Sequence, residues 1–183
     1  MLSNNIIFRR NRFTQTGLQL WLDASLPETV TRDASNKVSS WRDKSPYGRN
    51  SVQATSAAQP TFQLTGISGL PAINFDGVDD FLAFSDQTLN YIASSSFTII
   101  YVASKPANTN TFVIGGTASG TRNNLVTGYV SSNTYKFGFG VDDQNAIVPV
   151  GVVGTPEIYT LVYSNVDNSR RVRRNSTDVA VGA

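Results

Sequence analysis

A chain with no histidine and no cysteine keeps few routes to catalysis. Triads that need an imidazole base are excluded, as are zinc sites built from His and Cys and any disulfide framework. Carboxylates remain. Retaining glycoside hydrolysis uses two carboxyl groups about 5 Å apart. The only glutamates, Glu28 and Glu157, fall in separate regions, and neither has an aspartate two residues further on. The expectation is a non-catalytic protein.

Cation binding is the next chemistry open to carboxylates. Asp76, Asp79 and Asp80 share one turn and are the candidates for calcium, which takes about six to eight oxygen ligands. So short a turn supplies only part of that shell. The same side chains can instead accept hydrogen bonds from backbone N–H groups of the turn. Asp142-Asp143 raises the same two readings. No resident cofactor is expected, and calcium is the metal these residues suggest.

Tyr47, Arg49 and Asn50 lie in a long segment, 44–63, rich in Ser, Gly, Asn, Gln and Ala. A ring with two polar neighbours on a surface loop can stack on a sugar and hydrogen-bond its hydroxyls, and ordinary loop polarity is the other reading. Arginines cluster twice, as Arg9, Arg10 and Arg12 near the start and as Arg170, Arg171, Arg173 and Arg174 near the end. Each cluster reads as solvated chain or a charge-guarded edge strand, or as a surface that docks on an acidic protein. A net charge of +2 from 15 basic and 13 acidic residues is too balanced for a nucleic-acid partner. No basic-aromatic interleaving of the kind that holds single strands is present either.

Strands must position these residues. Residues 70–84 read as strand, acidic turn and strand: Ile73 and Phe75 alternate with Ala72 and Asn74, Leu82 and Phe84 with Phe81 and Ala83, and Asp76-Gly77 favours a sharp reversal. Residues 1–16 lack periodicity and read as an extended arm that orders against a partner surface. Leu18, Leu20 and Leu22 alternate and predict the first strand. A loop with one helical turn follows over 24–40, with Trp41 as a core residue. A short helix is predicted over 86–93. Residues 97–103 are apolar on both faces and predict a strand in the middle of a sandwich, covered on each side. Further strands are predicted at 111–115, 124–130, 134–141, 146–153, 158–163 and 177–181, with a turn at 142–145.

About ten strands at turn spacing, with almost no helical periodicity, imply an antiparallel β-sandwich. The length suits one domain, 17–183, behind the arm. No apolar run approaches the roughly 20 residues that cross a bilayer, so membrane insertion is not expected. The brief apolar piece at 6–8 precedes the arginines, the reverse of a secretory signal.

Four pieces follow one another in order: Gly17-Leu18-Gln19-Leu20-Trp21-Leu22-Asp23-Ala24-Ser25; Trp41-Arg42-Asp43-Lys44-Ser45 with Asn50 and Gln53; Gln59-Pro60; and the run from Pro71 to Leu82. Together they resemble the laminin-G-like jelly rolls of the concanavalin A-like lectin and glucanase superfamily, in the form common in secreted bacterial and phage structural proteins. The resemblance covers residues 17 to 165, and the order of the pieces carries it. It implies an all-β, antiparallel jelly-roll sandwich, here with an extended N-terminal arm, and it implies glycan binding. The E-x-D-x-x-E strand that supplies the carboxylates of the glucanases is absent.

Two function classes follow. The first is a virion structural or adhesion protein, such as a phage head fibre, a capsid decoration or a tail-associated protein. It would be a homo-oligomer whose arm docks on other virion subunits and which can contact cell-surface glycans. The alternative is a secreted bacterial carbohydrate-binding module, located outside the cell. The arm and the missing export pattern favour the first. Domains that resemble this one continue past the region matching 171–183 with a glycine-led strand that closes the sheet. Ending here implies a piece of a longer polypeptide, or a neighbouring chain over an open edge.

Overall fold

A computed structural model describes residues 17–84, 95–105, 111–115, 125–131, 134–139, 142–147 and 153–182. The arm with Arg9, Arg10 and Arg12, and the helix predicted over 86–93, lie outside the described residues. The protein is all-β. The only helical pieces among the described residues are 3-10 turns at Pro27–Thr29 and Ser56–Ala58.

The first half builds two small antiparallel sheets. Strands β1 (Val30–Arg32), β2 (Val38–Trp41) and β3 (Ser51–Val52) form one, in that order. Strands β4 (Thr61–Ile67) and β5 (Leu70–Asn74) form a hairpin. Its reversal is local chemistry: Ser68 and Gly69 both have positive φ, 49° and 80°, the backbone that tight two-residue hairpin turns require. A bridge from Lys37 to Thr61 ties the two sheets. Val30, Val38 and Phe62 are buried together, with Trp41, Ile73 and Leu82 packed around them.

The second half builds a sandwich. One sheet orders β10 (Asp142–Ile147), β9 (Thr134–Phe139), β8 (Leu125–Tyr129) and β7 (Thr111–Ile114). The other orders β13 (Thr177–Gly182), β12 (Arg170–Arg174), β11 (Glu157–Tyr163) and β6 (Phe97–Ala103). Every pairing is antiparallel. The sheets meet through alternate residues, as a period of two requires. Leu125, Tyr129, Tyr135 and Phe137 from one sheet bury against Tyr159, Leu161 and Val172 from the other. Phe97 meets Phe137 edge to face across the interface, with ring centroids 6.2 Å apart.

Several expectations need correction, among them the loop over 24–40, which holds β1 and the start of β2. Residues 18–22 are not a hydrogen-bonded strand. Their backbone is held instead by the 43–49 loop, through the Lys44 amide on the Trp21 carbonyl at 2.9 Å and the Trp21 amide on Asp43 at 2.8 Å. The second half of 70–84 does not pair with the first. β5 takes β4 as its partner, and Ala83 instead exchanges two 2.8 Å backbone bonds with Val52. Asp142 and Asp143 begin a strand rather than a turn, paired with Phe139 and Gly138.

Another correction concerns β6. Among the described residues it is the terminal strand of its sheet and not a central one, and Thr98, Ile100 and Val102 face outward and exposed. The second arginine cluster is likewise neither loose chain nor an edge. It forms β12, between β11 and β13, with Arg170 facing inward and buried while Arg171 and Arg173 face out.

Candidate functional site

Asp43 organises the loop that carries Tyr47, Arg49 and Asn50. Its Oδ1 accepts the amides of Trp21 and Ser45, each at 2.8 Å. Its Oδ2 accepts the Ser45 hydroxyl and the Arg49 amide, the latter at 2.8 Å. The Asp43 amide in turn donates to Asn50 Oδ1 at 2.9 Å. Burial pushes the Asp43 carboxyl up, but the bonds from Ser45, Trp21 and Arg49 outweigh it and hold the group below its ordinary value.

The three sugar-contact candidates are brought together, in unequal states. Arg49 is buried. It donates to the Gln19 carbonyl at 2.8 Å and to Gln19 Oε1 at 2.9 Å, and its guanidinium lies 4.3 Å from the Tyr47 ring centroid. Asn50 uses its side-chain oxygen to hold the loop. Tyr47 is 52% exposed, with Arg49 beneath it. The arrangement is an aromatic platform on a braced loop, suited to stacking on a sugar or another flat group. Next to it, the Lys44 ammonium sits 3.7 Å from the Trp21 ring centroid and 3.0 Å from Asp23 Oδ2.

The acidic turn is dominated by backbone capping. Asp76 Oδ1 accepts the amides of Val78, Asp79 and Asp80 at 2.8, 3.3 and 3.4 Å, and Asp80 Oδ2 accepts the Asp76 amide at 3.0 Å. These bonds lower the Asp76 pKa, the Val78 amide most of all. Asp76, Asp79 and Asp80 each bring an oxygen within 4.8 Å of the others, so the donor set for a cation exists. Lys37 Nζ stands 3.9 Å from Asp80 Oδ1 and already supplies positive charge there.

The two glutamates stay far apart in role. Glu28 is an exposed residue of the first 3-10 turn. Glu157 is buried in the sandwich, where it accepts the Tyr159 hydroxyl at 2.7 Å and pairs with Arg174 at 3.3 Å.

Sequence reasoning missed the polar interior around that pair. Tyr101, Tyr129, Tyr135 and Tyr159 form a ring cluster, with Tyr101 and Tyr159 stacked at 4.9 Å and Tyr129 edge-on to Tyr135 at 5.2 Å. The Tyr101 and Tyr135 hydroxyls bond to each other, and Tyr135 also bonds Thr127 at 2.7 Å. Arg174 donates to the Tyr129 hydroxyl at 3.0 Å. Burial pushes the Tyr101 and Tyr159 phenols well up and Tyr135 up to about 12. Lys105, pushed down chiefly by burial, lies over the Tyr129 ring and lines a cavity of about 30 Å³, room for about two waters and no sugar ring. The readable signal was tyrosine recurring at inward strand positions.

An exposed apolar stripe was also missed. Along the outer face of the β6 sheet, Ile100 is 68%, Val102 53% and Ile158 50% exposed. Beside this stripe, Arg171 and Arg173 both pair with Asp178, at 3.8 and 2.6 Å. Compared with the known protein families, with curated proteins and with solved structures, the chain matches none of them.

Proposed function

We propose that this chain is a non-catalytic structural subunit of a virion, of the head-fibre, capsid-decoration or tail-associated kind, whose sandwich closes as a jelly roll. The observation that carries the assembly part is the apolar outer face of the β6 sheet, where Ile100, Val102 and Ile158 stand half to two-thirds exposed. Neighbouring exposed apolar side chains on one sheet face support contact with a neighbour. The virion setting comes from the resemblance in residues 17 to 165. Docking on other subunits falls to the 1–16 arm with Arg9, Arg10 and Arg12. For Asp76, Asp79 and Asp80 the capping role is preferred to a calcium site, because Asp76 Oδ1 already accepts three amides.

Light scattering on the full chain across a concentration series tests this reading. Oligomers, and co-sedimentation with particles that is lost on deleting residues 1–16, are expected. A chain that stays monomeric and binds no particle overturns it.

A secreted carbohydrate-binding module is the second reading, and Tyr47 supports it. An exposed ring braced from below by Arg49 is what a sugar face stacks on. A monomer that binds a polysaccharide through Tyr47 decides for this alternative.

A further inference from the structure

Among the described residues, strand β6 ends its sheet, and its own sequence carries none of the residues that protect such an edge. Among the described residues it pairs with β11 alone. Phe97-Thr98-Ile99-Ile100-Tyr101-Val102-Ala103 contains no charge, proline or glycine. Natural edge strands carry Lys, Pro, a bulge or an inward charge to stop a second chain from pairing. The opposite edge is guarded: β13 carries Asp178, and its ladder with β12 is broken by a register shift between Val172 and Arg173.

We propose that two copies of this chain join edge to edge through β6, antiparallel about a two-fold axis at Ile100, into one continuous sheet with four strands from each copy. This rests on the assembly reading above and names its surface. The strand is self-complementary in that register. Ile100 falls opposite Ile100 of the second copy, Thr98 opposite Val102, and Ile99 opposite Tyr101. The outward pairs bring β-branched side chains together, and the inward pairs join aromatic and aliphatic ones, combinations that stabilise antiparallel ladders. The apolar stripes of the two copies become one.

Seven residues give about 24 Å of edge, and a sheet is about 10 Å deep, so the edge alone removes roughly 500 Å² across both copies. Specific stable dimers bury about 1,200 Å² or more. The isolated pair is therefore weak and concentration-dependent, and it strengthens when other contacts hold the copies close. The two-fold uses up the unguarded edge on both copies, so the contact closes as a dimer and does not propagate.

The absence of native cysteine makes the test clean. Residues directly opposite in an antiparallel pair have Cα atoms about 4.5–5.5 Å apart, within disulfide reach. Thr160 pairs with Ile100 on β11, so in the proposed dimer the two Thr160 residues are three strand spacings apart, about 14 Å. Single variants Ile100→Cys, Thr160→Cys and, as a control in the exposed turn between β11 and β12, Val166→Cys of the full chain are oxidised at rising concentration and the dimer is read on gels. Wild type and Ile100→Lys are sedimented in parallel, with urea unfolding as the fold control.

Concentration-dependent dimer, crosslinked at Ile100→Cys and not at the other two, with about tenfold or greater weakening in Ile100→Lys, is the expected result; two lysines would face each other across the pair. Crosslinking through Thr160→Cys overturns edge pairing in favour of face-to-face contact. An oligomer that persists in Ile100→Lys overturns the β6 contact and leaves the assembly reading standing. A monomer up to about 1 mM, the weak end of specific affinity, that also attaches to no particle overturns both.

Discussion

The Trp21 amide donates to Asp43 Oδ1 at 2.8 Å across a sequence separation of 22, and this bond closes the loop that carries Tyr47 and Arg49. Asp43 thereby receives three backbone amides and one hydroxyl. Its carboxylate acts as a structural tie from which the exposed platform takes its geometry.

Asp43→Ala leaves those donors without an acceptor. Each buried donor left unmade costs about 1–3 kcal/mol, so a loss of about 3–5 kcal/mol in urea unfolding is expected after partial rescue by water. The folded pKa is lowered, so this stability is present above the unfolded carboxylate value and is lost as pH falls through the folded one. Asp43→Asn should lower stability at neutral pH and flatten the acid limb. An unchanged limb would show that other carboxylates govern it.

Tyr47 and Arg49 should separate binding from folding. Tyr47→Ala removes an exposed ring and is expected to move stability by no more than about 0.5 kcal/mol, while any polysaccharide affinity is lost. Arg49→Ala also breaks the bonds to Gln19 and should lower the urea midpoint. Glycan arrays read alongside unfolding curves give both quantities.

Gly77 has φ of 79° with open space where a Cβ would stand. The cost of Gly77→Ala is therefore backbone strain alone, about 1–2 kcal/mol, and Gly77→Asn should recover part of it. Equal losses in the two variants would place the cost elsewhere.

Alkaline unfolding should report the tyrosine cluster. Tyr135 is raised from 10.0 to about 12 in the folded protein. Its contribution is complete below the unfolded value and is lost as pH rises from 10.0 to about 12. Absorbance titration of tyrosinate should show a late-ionising fraction, and Tyr135→Phe should reduce the alkaline loss of stability. A single phenol transition near 10 would contradict the buried cluster.

Glu157→Gln removes the charge facing Arg174 within the sandwich. Breaking one partner of a buried pair costs about 3–5 kcal/mol, because the remaining charge is left uncompensated. A double variant Glu157→Gln with Arg174→Met should recover much of that loss, and a double variant as weak as the single would argue against the pair.

The sequence by itself determined the all-β class and most strand positions in the second half. Tyr135 and Phe137, or Tyr159 and Leu161, alternate with polar or smaller neighbours, and period two is a local property of the chain. It also showed that no His- or Cys-based site exists. Tertiary structure alone decided which strands pair and which face meets solvent. β6 reads as doubly covered because both of its faces are apolar, yet burial depends on what lies beside a strand, and that is a non-local fact. β5 could pair forward or backward with similar side chains, and the Ser68-Gly69 turn settled it. Asp43 stands two residues past a strand and reads as an ordinary loop acid. Its role appears only when folding brings Trp21 and Arg49 to its two oxygens.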